Sequence, residues 1–526
     1  MRRLAAALAL GVLSLTASCK DFLDVNTNPN APESVSANLY LAPMIHWMVM
    51  SPEWDGRFVG RYTQQFFLAN GQTAISTWDR MGYDAASDNG AEQWRDVYWS
   101  LGQNLVDMMN KAQAEERWDV LGVGYFMKAW GWLVLSDLHG PIIIKEAFDP
   151  TRANFDYDTE EFAYSEVARL LDSAIVNLQR TDGAVSQPYL AVGDKLYNGD
   201  RTKWLEMAYG LQAMMLNHFS NKSTYKPGDV IAAVDKSFAS NADDALFQYP
   251  AQDPAFQDYN FWGRSRNNIT SYRQTQFVVH LMDGTDFGAV DPRMSRMLAP
   301  AADGQYHGVD INVAGYGGLT AAQQPYNFFG YSGTGGLNLP SRYIFDDKSK
   351  FPFMTYSQLQ FVKAEAAYRM GDKATALTAY RNGISSHIDF VNARNSEISS
   401  QSATQISSAE KNAFLSDPRI VPTDPNKLTL TMIMSQKYIA QWMWGHNELW
   451  MDMRRYHYTD VDPASGTQVF PGFEPPTNLF GDNGGKVVQR IRPRYNSEYV
   501  WNQYGLQQIG ALAADYHTVP LWITQP

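Results

Sequence analysis

The sequence predicts a mainly α fold in which four helix pairs pack against a loop-rich half with little strand. Apolar residues recur at intervals of three and four through paired segments, which is the pattern of amphipathic helices. A long region between the second and third pairs lacks this period and is dense in Gly, Asn, Gln, Pro and aromatic residues. Because 45% of the residues are hydrophobic and only 19% are charged, we expect a globular chain throughout.

Residues 1–18 have the pattern of a lipoprotein signal peptide. Two arginines precede the apolar run Leu4–Ala17, which is shorter than the roughly 20 residues that a membrane-spanning helix needs. The run ends in LTASC, which resembles a bacterial lipobox, and Cys19 is the only cysteine in the chain. We therefore expect cleavage before Cys19, acylation of its thiol, and an extended tether over residues 19–40.

One pattern in the tether imitates half of a calcium-binding loop. Asp24, Asn26 and Asn28 alternate as the first ligands of such a loop do. Pro29 stands where the loop needs glycine, however, and Val35 stands where it needs glutamate. We interpret the segment as a series of turns and predict no cofactor or metal site, although a structural calcium ion elsewhere stays open.

The rest of the chain, residues 41–526, is predicted to form a single domain. Its helix pairs are expected at about 92–138, 159–219, 353–386 and 408–456. The third pair resembles a tetratricopeptide repeat in its small and aromatic positions, namely Ala364, Gly371, Ala376, Tyr380 and Gly383. Small residues let two antiparallel helices approach closely, and stacked pairs bury a continuous core.

Binding is predicted in two irregular regions. The first is the insertion at about residues 241–350, and the second is the loop of residues 70–90 ahead of the first pair. Long stretches of irregular chain in a compact domain are usually functional, because loops carry binding residues on a rigid scaffold.

The sequence lacks the usual signs of catalysis and of nucleic-acid binding. The net charge is −12 and no run of Lys or Arg is present, which argues against nucleic acid as a partner. The nine histidines include no pair at metal-binding spacing. Ser332 only approximates a nucleophile elbow, because Thr334 replaces its last glycine. Paired carboxylates such as Asp243-Asp244 and Asp346-Asp347 face apart, unlike those of a glycosidase. We predict no catalytic residues and no enzyme.

Several segments together resemble the SusD/RagB family of nutrient-binding outer-membrane lipoproteins of Bacteroidetes. They are, in order, the lipobox with DFLDVNTNPNAP, then SDLHGPIIIKEA, AEAAYRMGD, ELWMDMRR and RIRPRYNSEYVWNQ. The resemblance covers essentially the whole mature chain. It implies four tetratricopeptide-like pairs that support a loop-rich half, a lipid anchor in the outer membrane facing the cell exterior, and no covalent chemistry. It also implies capture of oligosaccharides or peptides for a SusC-type TonB-dependent transporter.

Aromatic side chains in the two irregular regions are the candidate ligand platform. A sugar ring stacks its apolar face on an aromatic ring, while amide and charged side chains bond its hydroxyls. The candidate rings are Trp78, Tyr83, Tyr259, Trp262, Phe328, Phe329 and Tyr331, with Arg264, Arg266 and Asn268 as polar partners. On this hypothesis, Trp262→Ala weakens oligosaccharide binding.

Two other functions stay open at this point. A helical-repeat scaffold for protein partners would use a broad concave face, and a surface glycosidase or peptidase would release cleavage products. Asp452 and Arg455, in the segment that resembles the late family helix, lie at i, i+3 on one helix face. We expect these two side chains to pair in a structural role.

Overall fold

Helices form most of the regular structure in this protein, and the mainly α prediction with little strand is confirmed. The computed structural model describes residues 35–253, 258–266, 268–330, 342–397 and 405–526. In those ranges, no helix combines the length and the apolar character that crossing a membrane requires.

The helices carry the labels α1 to α16 in chain order. They are α1 Leu41–Tyr62, α2 Glu92–Arg95, α3 Gly102–Ala114, α4 Trp118–His139, α5 Glu160–Gln179, α6 Gln187–Gly193, α7 Arg201–His218, α8 Pro227–Val234, α9 Gln276–Asp283, α10 Met294–Met297, α11 Tyr356–Met370, α12 Lys373–Ser396, α13 Ser408–Ser416, α14 Leu430–Gln441, α15 His446–Arg455 and α16 Gln503–Gln508. Many begin at a side-chain cap: Thr159, Asp200 and Thr355 each accept a backbone N–H from the first turn of their helix.

Four short strands form two separate antiparallel ribbons. Strand β1 Phe66–Leu68 pairs with β3 Tyr272–Gln274, and β2 Ala245–Gln248 pairs with β4 Lys350–Met354. Each ribbon therefore ties the insertion at 241–350 to a different part of the helical half.

The insertion also contains helix α9, which the sequence analysis did not predict. Thr275 accepts the N–H of Val278, and Gly284 ends α9 with a φ of 95°. Phe277, Val278 and Leu281 bury one face of this helix. A segment of this length is too short to show a helical period in the sequence.

The helices pack in sequence into one hydrophobic core. α3 lies on α4, α4 on α5 and α5 on α7, while α11 contacts α12, α8 and α14. α15 contacts both α1 and α4, so the last long helix closes on the first. One cluster of buried side chains runs through all of these contacts.

A cluster of buried charges lies where these helices meet. Lys437 on α14 bonds Glu448 and Asp452 on α15, at 3.1 Å and 2.8 Å. Arg455 bonds Asp452 at 2.6 Å and Glu365 on α11 at 2.8 Å. Because each charge has an opposite partner, the core holds them without an uncompensated ion. Asp452 and Arg455 thus pair in the interior.

The first predicted helix pair is interrupted. The sequence predicts one helix from about residue 92, but the backbone forms a π-helical turn at Asp96–Leu101 before α3 begins at Gly102. Asp96, the buried first residue of the turn, accepts a hydrogen bond from Ser51 at 3.2 Å. π turns are rare and occur frequently at functional sites.

Candidate ligand-binding site

Residues 491–499 line two neighbouring clefts. The tryptophan cleft has a volume of about 420 Å³ and is lined by Trp94, Arg95, Tyr98, Trp99, Ile143, Ala147, Phe155, Arg494, Ser497 and Glu498. The tyrosine cleft has a volume of about 200 Å³ and is lined by Trp78, Tyr83, Asp84, Ala85, Ala86, Ser87, Asn89, Ala91, Ile491, Arg492, Pro493, Tyr495 and Tyr499.

The π turn at Asp96–Leu101 presents Trp99 to solvent. Val97 and Leu101 are buried on the core side of the turn, whereas 67% of the Trp99 side chain is exposed. The Arg95 guanidinium lies 4.5 Å from the centroid of the Trp99 ring. Trp99 also lines a third cleft of about 400 Å³ beside α1, so this indole stands between two cavities. An exposed Trp of this kind is a suitable stacking platform.

A second π turn, Tyr495–Tyr499, forms the wall between the two clefts. The rings of Tyr495 and Tyr499 stack with centroids 5.8 Å apart and planes 12° from parallel. Ser497 and Glu498 point to the tryptophan cleft, while the two tyrosines line the tyrosine cleft. The described residues contain these two π turns, and both line the candidate site.

An ion pair joins this wall to the loop of residues 70–90. The Arg494 guanidinium lies 2.5 Å from the Asp88 carboxylate, which also accepts the backbone N–H and the side-chain amide of Asn496. The Nε of Arg494 and the hydroxyl of Ser497 are buried and have no hydrogen-bond partner among the described residues. Buried polar atoms are normally paired, so these two leave unmet hydrogen-bonding capacity in the wall of the tryptophan cleft.

Arg492 organises the tyrosine cleft. Its guanidinium lies 4.6 Å from the Tyr83 ring centroid and 4.9 Å from that of Tyr499, and its Nε donates to the Tyr499 hydroxyl at 2.9 Å. Burial raises the pKa of Tyr499 to about 12, so the phenol stays neutral. The Tyr83 hydroxyl donates to Asp482 at 2.7 Å.

Asp84 fixes the other side of the tyrosine cleft. Its carboxylate accepts hydrogen bonds of 2.8 Å from Thr77, from the Trp78 indole and from Asn89. Partial burial tends to raise the pKa of Asp84, but these donors outweigh it and hold the pKa below its ordinary value. Asp84 is therefore ionised, and the three donors fix the orientation of its carboxylate.

Several rings predicted as platforms lie in the core instead. Trp78, Trp262, Phe328 and Phe329 are each at most 2% exposed. Trp262 packs edge-on against Phe66, Phe261 and His446, and Phe328 stacks on Phe345 at 5.2 Å. A ring covered in this way offers no face to a ligand, so the structure contradicts a platform role for Trp262, Phe328 and Phe329. Trp78 is equally buried, but it lines the tyrosine cleft, where its indole donates to Asp84. These rings belong to the same hydrophobic core as the helices, which the irregular sequence of the loops does not show.

The remaining predicted residues are divided between the cleft and the insertion. Tyr83 lines the tyrosine cleft, and its contact with a ligand stays a prediction. Arg264 pairs with Asp346 at 3.1 Å, and Asn268 donates to the backbone of Phe261. Neither cleft is lined by these two, by Tyr259 or by Arg266. Tyr331 and Cys19 lie outside the described residues.

Sequence reasoning missed the residues that dominate both clefts: Trp99, Arg492, Arg494, Tyr495 and Tyr499. Trp99 lies outside the apolar face of the predicted helix, which holds Val97, Tyr98 and Leu101, but the spacing of these residues does not show that a π turn exposes its ring. The late segment RIRPRYNSEYVW also interleaves arginines with aromatic rings, which is the composition of a polar stacking site.

Fold and clefts together define a class: a helical-repeat protein that carries aromatic ligand clefts on its surface. A family model described as "Starch-binding associating with outer membrane" matches residues 29–471. The chain therefore belongs to this SusD-like family, and the predicted relationship to SusD/RagB proteins is confirmed. No curated protein matches the chain.

Solved structures share this fold over nearly the whole chain. A SusD/RagB family protein from Bacteroides thetaiotaomicron is 21% identical with a TM-score of 0.64, covering 93% of this chain and 99% of its own. A chitin-binding SusD homolog from Flavobacterium johnsoniae is 20% identical with a TM-score of 0.65, covering 93% and 98%. A SusD homolog from Bacteroides fragilis is 16% identical with a TM-score of 0.70, covering 94% and 100%.

Proposed function

We propose that this protein captures oligosaccharides at the cell surface, in the tryptophan and tyrosine clefts, and delivers them intact to a SusC-type TonB-dependent transporter. One observation carries the proposal: the exposed Trp99 indole shares a cleft with two buried polar groups that have no partner among the described residues, Arg494 Nε and the Ser497 hydroxyl. A stacking ring beside unpaired hydrogen-bonding groups suits a sugar, which has an apolar face and a hydroxylated edge.

The dimensions of the tryptophan cleft suit reversible capture. A volume of about 420 Å³ falls in the range of roughly 300–1,000 Å³ that is typical of small-molecule sites. Each stacked ring contributes about 0.5–1.5 kcal/mol beyond burial. Two or three rings with a few hydrogen bonds then give about −4 to −8 kcal/mol, which is millimolar to micromolar affinity. A ligand held at this strength is readily released.

A glycan is favoured over a peptide as the ligand. The family description names starch, and the Flavobacterium johnsoniae homolog is described as chitin-binding. Both are polymers of uncharged sugar rings. The proposed binding of such a polymer uses the aromatic rings and hydrogen-bonding groups of the two clefts.

Replacing Trp99 with alanine tests the site. Trp99→Ala should weaken binding of maltohexaose or chitohexaose, whichever the wild type binds, at least several-fold by calorimetry, because it removes a stacking face. The matched control is Trp501→Ala, since Trp501 is 74% exposed and lines neither cleft. Equal affinity of both variants would exclude Trp99 from the site, and sugar fragments in the recovered ligand would contradict intact delivery.

The proposed anchor has a separate test. Cys19→Ala should release the protein from the outer membrane into the soluble fraction, because acyl chains contribute about 0.8 kcal/mol for each buried CH₂ and two or more hold firmly. Fractionation followed by immunoblotting measures this. A Cys19→Ala protein that stays with the membrane would show that another contact retains it.

A further inference from the structure

The basic side chains that line the tryptophan cleft are both neutralised. Arg95 lies 2.5 Å from Glu92, and Arg494 lies 2.5 Å from Asp88. The lining also contains one acidic residue, Glu498, a buried carboxylate that accepts hydrogen bonds from Tyr157 and Asn502. The cleft and its immediate partners therefore carry more negative than positive charge.

Asp88 is held in place on the arginine. Its two oxygens accept from the backbone N–H of Asn496 at 2.9 Å and from the Asn496 amide at 2.7 Å. The side chains of Asp88 and Arg494 are only 26% and 21% exposed, so solvent screens the pair less than it would a surface ion pair. Asp88 pairs with a terminal nitrogen of Arg494, while Arg494 Nε is buried and has no hydrogen-bond partner among the described residues.

The Arg494 guanidinium thus lines the cleft as an N–H donor group whose charge is already balanced by Asp88. A hydroxyl or an N-acetyl carbonyl accepts such a donor well, because both are neutral. A uronate or sulfate group gains little from a neutralised cation, and it also meets Glu498 and a chain of net charge −12. Repulsion of the wrong ligand is a common source of specificity.

We propose that the Asp88–Arg494 ion pair makes the tryptophan cleft selective for uncharged glycans over acidic ones. This inference rests on the proposed function of that cleft. It assigns a specificity role to Asp88, which lies behind the cleft wall and acts through Arg494. The charges that line the tyrosine cleft are balanced in the same way. Arg492 lies between the rings of Tyr83 and Tyr499, and Asp84 supplies a carboxylate.

The test compares two ligands of similar length, a neutral hexasaccharide (maltohexaose or chitohexaose, as the wild type binds) and hexagalacturonate. The wild type should bind the neutral sugar at least tenfold more tightly by calorimetry. Asp88→Asn replaces the carboxylate with an uncharged amide of similar size, so the charge of Arg494 is no longer balanced. This variant should shift the ratio of affinities toward hexagalacturonate at least fivefold. That gain should shrink as sodium chloride is added.

A matched control separates the local effect from net charge. Asp182→Asn removes the same charge from a surface ion pair, with Arg180 at 2.5 Å, and should leave the ratio unchanged. Glu92→Gln removes the carboxylate that balances Arg95 in the same cleft, and it should shift the ratio of affinities in the same direction as Asp88→Asn. It provides the test if Asp88→Asn fails to fold.

Equal wild-type affinity for the two ligands would overturn the selectivity while leaving glycan capture intact. Shifts no larger than that of Asp182→Asn would also overturn it. Failure of the wild type to bind any of the probes would remove the proposed function, and this inference with it.

Discussion

Lys437→Met is expected to lower the free energy of unfolding by about 3–5 kcal/mol, the usual cost of removing one partner from a buried ion pair. The Lys437 ammonium is fully buried between Glu448 and Asp452. Burial alone would lower the pKa of Lys437, but the carboxylates of Asp452 and Glu448 outweigh it and hold the pKa above its ordinary value. Methionine fills the space of the lysine stem but leaves two carboxylates facing each other without their shared cation.

Urea denaturation measures this loss as a shift of the unfolding midpoint. The control is Lys486→Met, because Lys486 pairs with Asp515 at 3.4 Å on the surface, where both side chains are about half exposed. Exposed pairs contribute about 0–1 kcal/mol, so this variant should unfold close to the wild type. If the two methionine variants unfold at the same urea concentration, the cluster does not stabilise the core.

The buried cluster also shows which parts of the structure a sequence can predict. The pairing of Asp452 with Arg455 follows from their i, i+3 spacing on one helix, and the structure places them 2.6 Å apart. The sequence spacing cannot show that Glu365, on a different helix, completes the pair at 2.8 Å. Local periodicity fixes which face of a helix is apolar, whereas the partner across the core depends on how helices stack.

The candidate site was also predicted only in part from the sequence. Loop composition pointed to residues 70–90, and Tyr83 from that loop lies in the tyrosine cleft. Composition could not distinguish a ring that faces solvent from one that packs on its own loop, as Phe328 does on Phe345. Trp99 escaped notice because it lies in a predicted helix, and the π turn that exposes it leaves no mark in the spacing of apolar residues.

Trp262→Ala is expected to destabilise the fold by about 3–5 kcal/mol, the range for removing a large buried ring. Trp262 has no exposed surface, and its ring meets Phe66 of β1 at 6.2 Å and His446 of α15 at 5.7 Å between centroids. The indole therefore joins the insertion to the helical half at the level of the first strand. Alanine leaves a cavity that these neighbours fill only in part.

This expectation replaces the sequence-based one, in which Trp262→Ala acts on oligosaccharide binding. At a temperature where the variant remains folded, its affinity for the neutral hexasaccharide should stay close to that of the wild type, while its thermal midpoint falls. Trp99→Ala should show the reverse, because an exposed indole contributes little to folding. A Trp262→Ala protein with normal stability and weakened binding would contradict this expectation. It would mean that the Trp262 ring contacts the ligand and that the binding site lies in the insertion.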